Sequence, residues 1–230
     1  ASGTISGVRM SGEYEGSAEG SFWLNKVVRT PPTLGVEPPE DAIVLFDGTD
    51  MDKWSHSKWK LVDENAMEVV PGTGSLVTKK KFMDHRLHIE FATPFKPGAR
   101  GQGRGNSGVY VQNRYEVQIL DSYGLEGRSF ECGGLYRLRA PRVNACGPPA
   151  CWQTYDIVFR APRFDDDGKK VKNARMTVWH NGIKIHDEVE LPRGTGSRSK
   201  ADLSGPGRLH LQDHKNRVRF RNIWAVELNE

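Results

Sequence analysis

Helical signal is almost absent from this chain. No window of about eleven residues repeats apolar side chains at helical spacing, which excludes helical bundles and parallel sheets covered by helices. Long apolar runs are missing too. The longest, Ala42 to Phe46 and Ile223 to Val226, fall far short of the ~20 residues a helix needs to cross a bilayer, so no membrane span is expected. Charge of one sign is scarce: 33 Lys plus Arg against 29 Asp plus Glu leave +4, with both signs scattered, and a nucleic-acid partner is not expected. Cysteine is limited to Cys132, Cys146 and Cys151, with no CxxC or Cys/His spacing that would build a structural zinc site. One disulfide with a thiol left over is the reading, and it favours an oxidising compartment. No basic and apolar leader opens the sequence, so any export signal is expected to be absent from it. Neither GxxxxGK[ST] nor GxGxxG between a strand and a helix occurs, which disfavours phosphate-cradling chemistry.

What is present is alternation. The chain has 230 residues, 37% of them hydrophobic, with 25 Gly and 13 Pro, enough for one large or two small loop-rich domains with a core of their own. Residues 1–30 alternate in short stretches and read as a small β element, or the remnant of an upstream module, too short to bury a core alone. Residues 31–41 follow as a Pro-rich linker, in which Pro31, Pro32, Pro38 and Pro39 fix φ and remove donors, so an extended path over a surface is expected. Residues 42–230 form the main domain. There AIVLF, RLHIEFAT, SGVYVQNR, RYEVQIL, TYDIVFRA, RMTVWHNGIKIHDEVEL, GRLHLQDH and VRFRNIWAVEL all run at period two. Asn181-Gly182 between apolar alternations marks a type I′ hairpin over Arg175 to Leu191. So many strands without crossover helices make an all-β, antiparallel sandwich or jelly roll.

Alternation also sorts faces. Tyr115, Val117 and Ile119 enter the core, as do Leu209 and Leu211, and this turns Glu116, Gln118, His210 and Gln212 the other way. Glu116 to Asp121 reads ExQxxD, which resembles the ExDxxE strand of laminarinase-type jelly-roll glycosidases with an amide at the middle position. Gln212, Asp213 and His214 put an amide, a carboxylate and an imidazole at one strand end, where Asp213 could orient His214; the bare sequence leans to a turn with His214 solvated. Lys96 to Asn106 is a Gly-rich loop over the sheet. Trp54, Trp59 and Trp152 lie beside turn residues where they could line a cleft, while Trp179 and Trp224 lie inside strands. Lys79 to Lys81 and Asp165 to Asp167 read as hairpin tips.

IVLFDGTDMDKW, GSLVTKKKF, RGNSGVYVQ, YEVQILDS, CGGLY, WQTYDI, HNG and LHLQDHKNRVRFRNIW, in that order, resemble the 3-keto-disaccharide hydrolase domain family, formerly a domain of unknown function, over residues 42–228. TPPTLGVEPPEDAIVLFDG is similar to the variety found in planctomycete-like bacteria, often exported, which implies a secreted or periplasmic location. The resemblance implies a concanavalin A-like jelly roll of two antiparallel sheets. It also implies cleavage of a glycoside already oxidised to its 3-keto form, by proton abstraction at C2, β-elimination and hydration, so the partner is an oligosaccharide or glycoside. A non-catalytic lectin-like module and an ordinary glycoside hydrolase on unoxidised sugar remain as alternatives.

On that resemblance Glu116 and His214 are expected to transfer protons, with Asp213 orienting the imidazole. Asn106, Gln118 and Gln212 bind hydroxyls or the enolate oxygen, and Tyr110, Arg114 and Tyr136 stand at the rim. No cofactor is implied with certainty; a divalent cation on Asp121, Glu116 and His214 is one option for stabilising an enolate. Relatives look like CGG(I/L)Y followed by VN(M/A)C, which points to a Cys132–Cys146 disulfide beside the cleft with Cys151 free. Such a bridge closes a loop of about fifteen residues, worth roughly 3 kcal/mol.

Overall fold

The structure, a computed structural model, describes residues 2–55 and 58–229. The chain divides into two compact units, Ala1–Thr30 and Pro31–Glu230. The first is a three-stranded antiparallel sheet of β1 (Ser2–Ser6), β2 (Arg9–Tyr14) and β3 (Gly20–Asn25) in sequential order. It buries no side chain among the described residues, and Ile5, Trp23 and Leu24 are all exposed.

The second unit carries β4 (Ile43–Phe46), β5 (Lys60–Val62), β6 (Ala66–Glu68), β7 (Leu76–Phe82), β8 (His85–Ala92), β9 (Ser107–Val111), β10 (Tyr115–Ile119), β11 (Gln153–Arg160), β12 (Arg163–Phe164), β13 (Lys170–Lys172), β14 (Ala174–His180), β15 (Ile183–Leu191), β16 (Gly207–Leu211) and β17 (Arg219–Glu227). The large sheet runs β15-β14-β11-β8-β17-β6-β5, with β4 also on β17, and the small sheet runs β10-β9-β16-β7. Non-sequential neighbours in both sheets show that the chain crosses repeatedly between them. This is the expected all-β jelly-roll sandwich of two antiparallel sheets, with β12 and β13 as a separate hairpin. Helix among the described residues is confined to two 3-10 turns, Gly101–Gly103 and Gly196–Arg198, and no helix is long and apolar enough to cross a membrane.

The core lies between the sheets and uses the faces that alternation assigned. Tyr115, Val117 and Ile119 are fully buried and meet Ile157, Phe159 and Phe91 from the large sheet; the Tyr115 and Phe159 rings lie 5.3 Å apart across the interface. Asn181 (φ 52°) and Gly182 (φ 78°) supply the two left-handed residues of the β14–β15 turn, where His180 pairs with Ile183.

Two expectations change, and the Pro-rich segment gains specific partners. Lys79 to Lys81 are exposed residues inside β7, not a hairpin tip, because the strand continues to Phe82, which returns to the core; Asp165 to Asp167 do form the β12–β13 turn. The first part of the Pro-rich segment is a strap on the outer face of the large sheet: Thr33 Oγ1 donates to Asp156 Oδ2 (2.7 Å), the Gly35 amide to Glu90 Oε1 (2.5 Å), and Asn222 Nδ2 to the Val36 carbonyl (3.0 Å). Asp156 and Glu90 flank His88, so the strap closes over buried charges that need partners. The expected Cys132–Cys146 disulfide is not formed, and all three cysteines are free thiols. Cys132 and Cys146 are buried beside each other and hydrogen-bonded as reduced thiols, with Cys132 Sγ also 3.2 Å from Tyr155 Oη and Cys146 Sγ 3.3 Å from the Gly147 carbonyl.

Candidate active site

Gln112 (φ 53°) and Asn113 (φ 56°) make a two-residue turn between β9 and β10, closed by the Arg114 amide on the Val111 carbonyl. That turn fixes the register: Tyr110 stands opposite Glu116 and Gly108 opposite Gln118. On the other side of β9, His210 of β16 pairs with Tyr110, and the Gln212 amide bonds the Gly108 carbonyl. Two polar rows therefore cross the concave face of the small sheet, Glu116–Tyr110–His210 and Gln118–Gly108–Gln212. Gly108 is needed here, because a Cβ at that position would stand 2.5 Å from Glu116 Oε1.

The rows are not open to solvent as an uncovered polar face would be. Glu116 and Gln118 are 3% and 1% exposed. Three irregular segments cover them. Gln102 in the 3-10 turn Gly101–Gly103 accepts from Gln118 Nε2 and Asn106 Nδ2, both at 3.0 Å. The Gly133–Arg137 segment bonds along the free edge of β10, with the Tyr136 amide on the Glu116 carbonyl (3.1 Å). Thr195 Oγ1 accepts from the Glu116 amide (2.7 Å), which seats Gly196 and Ser197 over the cavity. The cleft beneath them has a volume of about 290 Å³, and Arg137, Tyr136, Gln212 and His214 complete its walls.

Glu116 is the centre of the electrostatics. Burial pushes its carboxyl up to about 7, opposed by a hydrogen bond from the Tyr110 hydroxyl. Burial and the Glu116 charge push the Tyr110 phenol well above its ordinary value, so it stays a donor to Glu116 while accepting from Gln212 Nε2 at 3.2 Å. His210 stacks on Tyr110 with ring centroids 4.6 Å apart, and burial drives its imidazole down to about 4. It is therefore neutral at pH 7, with Nδ1–H donating to Asn113 Oδ1 (2.7 Å). Two buried amide oxygens in the walls, Gln118 Oε1 and Gln212 Oε1, have no hydrogen-bond partner among the described residues. Unpaired buried acceptors are costly, and hydroxyl hydrogens of a ligand would satisfy both.

Of the residues expected at the site, Glu116, Tyr110, Gln118, Asn106, Gln212, Tyr136 and His214 share this cavity, with His214 exposed at its mouth. Asp213 does not orient His214: its carboxylate accepts from the Gly74 amide (3.0 Å) and the Lys215 amide (2.9 Å), as a turn residue does. Arg114 is not at the rim, because its guanidinium is taken up by Gln112 Oε1 and the carbonyls of Leu203, Ser204 and Gly205. Asp121 lies past the end of β10 and pairs with Arg104 (3.0 Å), so it joins neither a carboxylate pair nor a metal site with Glu116 and His214. Among the described residues no three His, Cys, Asp or Glu side chains are gathered closely enough to hold a metal ion. Trp54 and Trp59 are buried with Nε1 on the Leu45 and Gly74 carbonyls, and Trp152 stacks under Arg221; none of the three lines the cavity. Sequence reasoning missed Gln102, Arg137 and Ser197, which come from irregular loops where no periodicity assigns a direction.

A jelly roll whose concave face encloses one buried carboxyl among amides and phenols is the frame of a carbohydrate-active domain. Residues 41–226 match the model of the 3-keto-alpha-glucoside-1,2-lyase-like domain, and the chain belongs to that family. A candidate glycosyl hydrolase from Parabacteroides distasonis is 34% identical, with 82% of this chain and 84% of that one covered at a TM-score of 0.76. A second candidate glycosyl hydrolase from the same organism, 18% identical over 83% of this chain and 95% of its own, shares the fold at a TM-score of 0.62. No curated protein matches the chain.

Proposed function

We propose that this protein cleaves the glycosidic bond of a 3-keto-glycoside by elimination followed by hydration. The observation that carries the reading is that Glu116 is the single carboxyl lining the cavity among the described residues. Hydrolysis of an unoxidised glycoside by the two-carboxylate route needs a second acid at about 5–10 Å. Here the middle position of ExQxxD is the amide of Gln118, and the last acid, Asp121, is committed to Arg104. A 3-keto sugar removes that need, because the ketone acidifies the C2 hydrogen and one base suffices.

Glu116, held near 7, is poised to take that proton at neutral pH. The C–H electron pair moves into the C2–C3 bond and makes the enolate, whose oxygen faces the cationic wall at Arg137. The enolate pair then forms the C1–C2 double bond, the ketone at C3 returns, and the C1–O bond breaks. His214 at the mouth supplies the proton to the departing oxygen. Water adds at C1 while C2 regains a proton, so the sum is hydrolysis. Gln118 Oε1 and Gln212 Oε1 accept from ring hydroxyls and fix the sugar over Glu116.

The test is mass spectrometry of products from matched 3-keto and unoxidised glucosides. An unsaturated keto-sugar from the oxidised substrate alone is expected. Turnover of the unoxidised glucoside, or binding of both without turnover, overturns the reading.

A further inference from the structure

A second hollow of about 250 Å³ opens on the same concave face, beyond His210. Arg208, His210 and Gln212 alternate along β16 and the chain that follows it, so one face runs from this hollow to the catalytic cavity. The two spaces share a wall. Asn113 lines the hollow and accepts from His210, which stacks on Tyr110 of the cavity. The segment after Thr195 gives Gly196 and Ser197 to one space and Arg198 to the other.

The hollow is built from cations. Lys81, Arg114, Arg198 and Arg208 line it, against the single carboxylate of Asp202. Lys81 and Arg198 have no hydrogen bond or ion pair from their side chains among the described residues, while Arg114 holds the Leu203–Gly205 carbonyls and Arg208 reaches the Thr78 carbonyl (2.8 Å). Lys81 and Arg208 are also direct cross-strand partners between β7 and β16. Like charges placed opposite each other destabilise a sheet, so their pairing works against folding unless an anion is shared between them.

We infer that this hollow binds an acidic group, a carboxylate or sulfate, carried on the sugar or aglycone that leaves from the catalytic cavity. A planar guanidinium and a flexible ammonium facing one gap suit an oxyanion with several acceptor oxygens. The placement as a leaving-group subsite rests on the elimination reading above; the anion preference itself does not.

The experiment is calorimetric titration of the full chain at low salt with glucuronic acid, glucose and inorganic phosphate, repeated for Lys81→Gln and for Lys81→Gln/Arg208→Gln. Glucuronic acid is expected to bind at least tenfold more tightly than glucose, with the advantage shrinking in each variant and in ~0.5 M salt. Turnover of a neutral 3-keto-glucoside by Lys81→Gln should stay at the parent level. Equal binding of the two sugars, or an advantage that survives in both variants, overturns the inference. Phosphate binding as tightly as glucuronic acid also overturns it, since the site would then take a free anion. Absence of an acidic preference in the parent chain, with its 3-keto-glucoside turnover intact, removes this inference alone. A variant-sensitive acidic preference in a protein that turns over no 3-keto-glycoside removes the catalytic reading alone.

Discussion

Replacing Glu116 by Gln should make the protein inactive and, at alkaline pH, more stable. A buried carboxyl raised from 4.5 to about 7 holds its proton more tightly in the folded than in the unfolded chain. Between those values the unfolded state has released the proton and the folded state has kept it, so stability is fully present below the unfolded value and is lost as pH rises. At 1.36 kcal/mol per unit, the wild-type chain should lose about 2–3 kcal/mol between pH 5 and pH 8 from this group. The Gln variant cannot ionise there and escapes that loss. Every other titrating group is common to both proteins and cancels in the comparison. Activity runs the other way, because the base must be ionised: kcat/KM should rise with pH through about 7. The assay is urea unfolding of both proteins at pH 5 and pH 8, with turnover measured beside it. Parallel pH dependence of the two unfolding free energies would refute the claim that Glu116 is desolvated, and undiminished turnover by Glu116→Gln would remove it from the mechanism.

Gly108→Ala should lower turnover at least ~10-fold with a stability change under about 1 kcal/mol, since the new Cβ would displace the Glu116 carboxylate, a flexible side-chain end, and no backbone; steady-state kinetics and thermal melting read the two effects. Arg104→Gln strands the buried Asp121 carboxylate and should cost about 1–3 kcal/mol in urea unfolding, partly recovered by adding Asp121→Asn, because a lone buried charge is worse than a neutral amide. Thiol titration of the native protein should find one reactive group, Cys151, and three after unfolding; two fewer under denaturing conditions would show that Cys132 and Cys146 are joined. Phe220→Ala, a fully buried ring stacked on Trp59 at 5.8 Å, should cost about 3–5 kcal/mol.

The strands were readable because burial on one face imposes period two, and the concave-face rows followed from them: once Tyr115, Val117 and Ile119 point inward, Glu116 and Gln118 have no choice of side. Which polar residues sit above those rows was not readable. Gln102 lies in a Gly-rich run where neighbouring residues differ in direction by loop geometry alone, and Ser197 reaches the cavity only because Thr195 bonds the Glu116 amide across the fold. Arg114 and Asp121 are in the opposite position: their sequence neighbourhood placed them near the site, and long-range partners, the Leu203–Gly205 carbonyls and Arg104, drew them off. The cysteine pairing was legible only in part: Cys132 and Cys146 do lie side by side, but as free thiols in contact and not as a bridge.

The loops that escaped sequence reading are also what desolvate the carboxyl. On an open sheet Glu116 would be a solvated side chain with an ordinary acidity, as its place in an alternating strand implies. Covering by Gln102, Tyr136 and the Gly196–Ser197 segment removes water and raises the carboxyl to about 7, and the Tyr110 hydroxyl limits the rise by donating to it. Tyr110 in turn is held by His210, whose imidazole stacks on its ring and is kept neutral by burial and by the charge of Arg198. Basicity at Glu116 thus depends on β9, its hairpin partner, on β16 and on three loops remote from it in sequence. A substitution in any of those loops that admits water should lower the Glu116 value toward 4.5 and shift the activity profile to lower pH, even where every residue facing the sugar is unchanged.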